Sequence, residues 1–179
     1  MRLLTLITTG GTIEKTYDER TGMLDNRTSV VRRMIRRLRL DDTAINIIEL
    51  MSKDSLLMTD DDRKRICECV RAAGGTNELA TETVGIVILH GTDTLSVTGE
   101  RLKELMPTPR VPIILTGAMR PFEMTRSDAM QNLTEAFFAA GVLKPDIYCV
   151  VHGKALAFPG VVKDRTLGTF VMEQATPKA

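Results

Sequence analysis

The 179-residue chain has 24 lysines and arginines against 23 aspartates and glutamates, a formal net charge of +1, so no overall field draws it to nucleic acid or an anionic membrane. With 43% hydrophobic and 26% charged residues, its composition is that of a globular protein and not of a disordered one. No apolar run approaches the ~20 residues of a transmembrane helix, and a chain of this length can bury ~70% of its unfolded surface without disulfides or a metal.

The first apolar run, LLTLI (3–7), is interrupted by glycines and followed by no small-residue cleavage pattern. It predicts a strand and not a signal peptide. After it come TTGGTIEK (8–15) and a polar stretch, 14–28, that is long for a connection and has the character of a lid or binding loop. SVVRRMIRRL (29–38) places Val30, Val31, Met34, Ile35 and Leu38 on one side of a helix, with Ser29 as its N-cap. INIIEL (45–50) predicts the second strand. TDDDRKRICECVRAAGG (59–75) opens on a T-x-x-D cap with early acids and closes on glycine, as a helix should. VGIVILH (84–90), a helix over 94–105, VPIILTG (111–117), a helix over 125–141 and IYCVV (147–151) complete the alternation; the tail TPKA is expected to fray.

Near-continuous apolar strands alternating with helices predict an α/β fold: a three-layer, flavodoxin-like parallel sheet with helices on both faces, in one domain over 1–179. Ligands of such sheets lie beyond the carboxyl ends of the strands. The segments to read are therefore TTGGTIEK, MSKDSLLM, HGTDT, TGAMRP and HGK.

Several chemistries fit poorly. GGTIEKT has neither phosphate-loop spacing, and no helical pattern begins directly after its glycines. His90 and His152 each end a strand without a third ligand at recognisable spacing, which predicts hydrogen-bonded histidines and no metal. No G-x-S-x-G elbow marks a serine triad. The arginines at 32, 33, 36, 37 and 39 lie opposite an apolar stripe, so a solvated or subunit-contact face is the plainer reading than a nucleic-acid patch. Cys67 and Cys69 fall i and i+2 on a helix and cannot chelate together; with Cys149 they read as reduced, mostly buried thiols of a cytoplasmic protein.

HGTDT on its own reads as capping of the following helix by Thr92 or Asp93. Thr12 changes the balance. In flavodoxin-like order, strands one and three are neighbours at the switch point, so Thr12 and Thr92 converge with Asp93 and glycine-exposed amides. Hydroxyl, acid and amides suit acyl transfer, provided a base activates the hydroxyl. Lys163 is a candidate, since a lysine taken out of water can serve; a surface lysine is the alternative.

TTGGTIEK, HGTDTL and LTGAMRP, in this order and at this spacing, resemble the bacterial-type L-asparaginase/glutaminase family, whose nucleophile is a threonine. The likeness runs from about Arg2 to Phe170 and corresponds to the family's N-terminal domain; GVVKDRTLGTF is similar to the segment bearing its catalytic lysine. By motif, the resemblance implies Thr12 as nucleophile, Tyr17 as the hydroxyl that activates it, and Thr92, Asp93 and Lys163 as the second catalytic group. It further implies substrate contacts from Gly11, Gly91, Thr92, Asp93 and the SKDSLLM serine, here Ser55 with Asp54 beside it; Ser52 is the poorer match.

The implied reaction is hydrolysis of the L-asparagine side-chain amide to aspartate and ammonia, with no cofactor, no metal and no nucleic-acid or membrane partner; the alternatives are a glutaminase-asparaginase of broader specificity and an amino-acid-binding or truncated domain without useful turnover. Asp93 would hold the α-ammonium, amides near the glycine turn or Thr92 the oxyanion, and residues 14–27 would close over the site. The family's usual C-terminal domain is not in the sequence, so the expectation is a short single-domain enzyme, a homodimer or homotetramer. Glu14, Asp18, Lys15, Lys53 or a partner residue would stand in for the acid that domain supplies.

Overall fold

The computed structural model describes residues 1–78 and 81–173; the TPKA tail lies outside them. The five predicted strands form: β1 (Arg2–Gly10), β4 (Thr43–Lys53), β5 (Thr83–Leu89), β6 (Ile113–Thr116) and β7 (Ile147–Val151). They are parallel and lie in the order β4-β1-β5-β6-β7. This is the flavodoxin-like order, with the switch point between β4–β1 and β5. A sixth strand, β8 (Lys154–Ala157), pairs antiparallel to β7 and makes the sheet mixed.

Alternation along each strand sends apolar side chains to both faces. Ile7, Ile86, Ile88, Ile113 and Leu115 meet helices α2 (Asp60–Val70) and α3 (Leu95–Leu105) through Ile66, Val70, Leu95 and Leu102. Leu4, Leu6, Val87, Leu89 and Ile114 meet α1 (Val31–Ile35) and α4 (Ala129–Val142) through Val31, Met34, Leu133 and Ala136. The connections β5–α3–β6 and β6–α4–β7 step the same way across the sheet but lie on opposite faces. The α4 crossover is therefore of opposite hand to the other three, against the usual single-handedness of such units.

The start of α2 matches the T-x-x-D cap read in the sequence, whereas other helix ends differ from expectation. Thr59 and Asp62 close a reciprocal capping box on α2, whose C-terminus widens into a π turn containing Gly74 at φ 91°. Helix α1 has only five residues, and its N-cap position is Val30 and not the expected Ser29, whose hydroxyl donates to Glu14. Helix α4 starts four residues after the predicted 125, because Asp128 turns its carboxylate away to the Met119 and Arg120 amides. Residues 14–28 contain a short hairpin, β2 (Thr16–Asp18) with β3 (Met23–Asp25). A second hairpin, β9 (Val161–Asp164) with β10 (Thr169–Met172), lies outside the main sheet. Among the described residues, no helix is long and apolar enough to cross a membrane.

Thr59→Ala removes one half of the α2 box and leaves the Asp62 amide without its cap. Urea denaturation should show a loss of about 1 kcal/mol at unchanged m-value.

Candidate active site

Strand β1 runs out in Gly10 and Gly11, with φ of 94° and 83°. The Gly11 amide donates to the Lys53 carbonyl at the end of β4, 3.0 Å away. On its other side Gly11 lies against the β5 turn: a Cβ there would stand 2.4 Å from both the Cα and the amide nitrogen of Gly91. Gly91 in turn faces Ser55, whose Oγ would be 2.5 Å from a Cβ on Gly91. Only glycine permits this left-handed turn and this backbone approach. Three strand-end loops thus meet without intervening side chains, and Gly11, Gly91 and Ser55 come together. Thr12 is half-buried and opens the single 3-10 turn that follows, closed by Glu14 N–H to the Gly11 carbonyl at 3.1 Å.

The β9 hairpin delivers Lys163 to the β5 turn. Its Nζ donates to Thr92 Oγ1 at 2.8 Å and to Asp93 Oδ1 at 2.9 Å. Thr92 is 4% exposed, and the Lys163 and Asp93 side chains are 16% and 24% exposed. Neither Thr92 nor Asp93 caps the next helix. Thr94 is the N-cap residue, and its hydroxyl donates instead to the Ser55 carbonyl at 2.9 Å. The capping explanation for HGTDT therefore fails. Behind the turn, His90 is fully buried, with Nδ1 2.8 Å from the Gly91 carbonyl and Nε2 2.8 Å from Thr98 Oγ1. Burial brings its pKa down to about 4. The imidazole is then neutral: Nδ1–H donates to Gly91 and Nε2 accepts from Thr98, which buttresses the turn.

The asparaginase N-terminal family profile matches residues 3–175. The chain belongs to the asparaginase family. An L-asparaginase of Thermococcus kodakarensis is 35% identical over 130 residues, covering 73% of this chain and 38% of the relative. A glutamyl-tRNA(Gln) amidotransferase subunit of Methanobrevibacter smithii is 31% identical over 150 residues, covering 84% of this chain and 33% of the relative. Among solved structures, the thermostable Thermococcus kodakarensis L-asparaginase superposes with a TM-score of 0.80 at 31% identity, over 95% of this chain and 51% of that one. A probable cytoplasmic L-asparaginase of Campylobacter jejuni superposes at 0.83 with 25% identity, over 96% and 54%. The chain thus spans about half of these solved chains and less of the curated relatives.

In this asparaginase domain the β2–β3 hairpin is fastened at its base. Asn26 Nδ2 donates to the Gly11 carbonyl at 2.8 Å. Glu14, 2% exposed, accepts from the Gly10 amide at 3.1 Å through one oxygen and from the Ser29 hydroxyl through the other. Burial outweighs both bonds and raises its pKa to about 7. The residues before and after the hairpin are thereby tied to the turn that carries Thr12. Tyr17 rides on the hairpin, 59% exposed, with its amide near Glu123 Oε2 at 3.4 Å and its hydroxyl over the Gly22 turn. Thr12, Thr92, Asp93 and Lys163 belong to converging loops; Tyr17 joins them only through the hairpin.

The other charged candidates are engaged elsewhere. Lys15 pairs with Asp54 at 2.7 Å, which lowers the Asp54 pKa, and Asp54 also caps the turn that begins at Ser55. Lys53 pairs with the α2 cap residue Asp62 at 2.5 Å, and Asp18 pairs with Arg27. Ser52 is exposed on β4, whereas Ser55 is 1% exposed at the junction. Arg33 and Arg37 stack over Phe122 at 5.3 and 4.8 Å, and Arg32 pairs with Glu49 at 3.2 Å. The Arg36 Nε–H turns back to the Arg32 carbonyl. A cleft of about 370 Å³ between α2 and α3, lined by Asp60, Arg63 and Arg101 among others, contains none of the site residues.

Two features lie beyond what the sequence predicts. Asp128 accepts from the Met119, Arg120 and Asn132 donors and from His152 Nε2 at 2.8 Å, while His152 Nδ1 meets Thr169 Oγ1 at 2.9 Å. This hydroxyl–imidazole–carboxylate chain is a strut: the carboxylate is saturated with donors, and Thr169 is 8% exposed in β10. Burial opposes the Asp128 charge, but the Met119 amide, His152 and the Arg120 amide hold its pKa below the usual carboxylate value. Arg165 is the second feature, 2.9 Å from Asp93 Oδ1. Strand alternation gives no signal for it, because Arg165 opens the turn between β9 and β10 and does not continue the strand.

Glu14 makes stability depend on pH. Its folded pKa of about 7 exceeds the ordinary 4.5, so the folded state retains a proton that the unfolded state releases. The stabilisation is full below pH 4.5 and declines as pH rises toward 7. Glu14→Gln should flatten this slope, and its stability relative to wild type should improve by on the order of 2–3 kcal/mol between pH ~4.5 and ~8. Thermal unfolding across that range is the measurement, and a slope kept in the variant would remove Glu14 as the titrating group.

Proposed function

We propose that this asparaginase-family domain is an amidohydrolase that converts L-asparagine to L-aspartate and ammonia through a threonyl acyl-enzyme. The observation that carries the reading is the double donation from Lys163 to Thr92 and Asp93, in a turn whose Gly91 backs directly onto Gly11. In this reading Thr12 Oγ attacks the side-chain carbonyl carbon. The carbonyl oxygen takes the negative charge beside backbone amides of the glycine turns. The C–N bond breaks and ammonia leaves with the proton that Thr12 gives up, relayed through Thr92 and Lys163. Water then adds to the ester, and its collapse returns Thr12 and releases the carboxylate. Asp93 takes the α-ammonium and Ser55 the α-carboxylate, so contacts at both ends of the head group fix the amide over Thr12. The lid over residues 14–27 closes on the site and brings Tyr17 toward Thr12.

A homodimer or homotetramer belongs to the same proposal. Tyr17, Met23, Leu56, Leu57 and Leu167 are exposed on the elements that carry or touch the site loops, which supports a covered rim. One specific observation favours a second reading: the matches to glutamyl-tRNA(Gln) amidotransferase subunits cover up to 86% of the chain. The same loops would then release ammonia from an amide for use by a partner. The two readings share the Thr12 chemistry and differ in which amide is turned over and whether ammonia goes to solvent.

Ammonia release from asparagine and glutamine decides between them. Wild type should release ammonia from asparagine without a partner, with a preference over glutamine of roughly 10- to 200-fold, the discrimination one methylene allows. Thr12→Ala should lower turnover by at least ~1000-fold, and undiminished release would move the nucleophile elsewhere. Lys163→Met should keep the fold but lower turnover by about 10²–10⁴-fold; a fully active variant would exclude Lys163 from proton transfer.

A further inference from the structure

Asp93 carries more positive charge than a free ammonium site should. Lys163 Nζ and Arg165 Nη2 both lie 2.9 Å from the same Oδ1. Lys163 is explained by its bond to Thr92; among the described residues Arg165 has no such second partner. The guanidinium is presented by a built turn and not by a frayed end. Asp164 Oδ1 accepts the Thr166 and Leu167 amides at 2.8 and 2.9 Å, closing the loop between β9 and β10. Gly168, at φ 62°, returns the chain into β10. Arg165 opens that turn directly after the strand that carries Lys163, and both cations reach the same Asp93 oxygen.

The two cations differ in how firmly they are held. The Lys163 side chain is 16% exposed, whereas that of Arg165 is 72% exposed. A pair so open to water is weak and exchanges readily. It is nevertheless directed at the carboxylate that the proposed reaction reserves for the substrate's α-ammonium.

We propose that Arg165 is a specificity-determining residue that competes with the α-amino group of the substrate for Asp93. The inference rests on the amidohydrolase reading, in which Asp93 holds that ammonium. An α-amino acid must displace Arg165 from Asp93 to seat. An otherwise identical acid amide without the amino group need not, and the retained guanidinium offers its carboxylate an additional cation. Arg165 therefore narrows the preference for amino acids over their desamino analogues below what Asp93 alone would set.

The test compares L-asparagine with succinamic acid, its desamino analogue, in wild type and in Arg165→Ala and Arg165→Lys. Ammonia release gives the ratio of kcat/KM for the two amides. Arg165→Ala should raise the ratio in favour of asparagine by about 2- to 5-fold, the range of an exposed ion pair, with the change in asparagine KM downward. Arg165→Lys, which keeps a cation, should stay closer to wild type. A second readout needs no turnover: calorimetric binding of L-aspartate against succinate should show the same shift in ratio. An unchanged ratio in both readouts, or a fall, would overturn the role of Arg165 while leaving the reaction intact. Absence of ammonia release from wild type would count against the amidohydrolase reading instead, and the aspartate-to-succinate ratio would still judge Arg165.

Discussion

Gly11 lies against Gly91 backbone to backbone, and the candidate chemistry depends on that contact. The two residues end neighbouring strands at the switch point, where no crossover helix fills the space above the sheet. A methyl group on either would force the loops apart, since its nearest atoms would be 2.4 Å away at Gly11 and 2.5 Å at Gly91. Thr12 follows the first glycine and Thr92 the second, so the main chain sets where each threonine leaves the turn. His90 reinforces the arrangement from below. Fully buried and neutral, it adds two hydrogen bonds without the cost of burying a charge.

The charged part of the site rests on a less central support. Lys163 belongs to a two-stranded hairpin outside the main sheet. Such a ribbon has marginal stability alone, and it is anchored by packing: Phe170 is 0% and Val161 1% exposed within the core that also contains Leu95 and Leu102. The Asp128–His152–Thr169 strut ties β10 to the loop after β6. The positions of Lys163 and of the MRP segment are therefore coupled through one carboxylate, although neither touches the other.

The strands, their order and the switch point are legible in the sequence because burial on both faces leaves continuous apolar runs, and that pattern needs no partner to be read. Thr12, Thr92, Asp93 and Lys163 are legible as motif residues, and Ser55 from its place before Met58. Interactions between segments distant in sequence are not. Asp128 reads as part of a helix start, but its carboxylate serves amides eight and nine residues earlier. The β9–β10 hairpin has two short strands separated by RTLG, with too few residues for a clear alternation. The hand of the α4 crossover has no sequence signature at all. Glu14 reads as one possible stand-in for a missing acid, yet its burial and its bond to Ser29 depend on how α1 packs on β1.

These constraints divide the site into a rigid part and a poised part. Thr92 and Lys163 are fixed by short hydrogen bonds in a dry setting, where each is difficult to move without leaving a donor unsatisfied. The β2–β3 hairpin is different: its base meets the site through Asn26 and Glu14, while its outer residues Tyr17 and Met23 are each 59% exposed. Glu14 joins the two parts, because the same carboxyl bonds the amide of Gly10 and the hydroxyl of Ser29 at the far side of the hairpin. When it ionises near neutral pH, its bonds to both donors strengthen while its burial opposes the charge. The base of the hairpin is consequently the place where a single proton weighs on the stability of the fold.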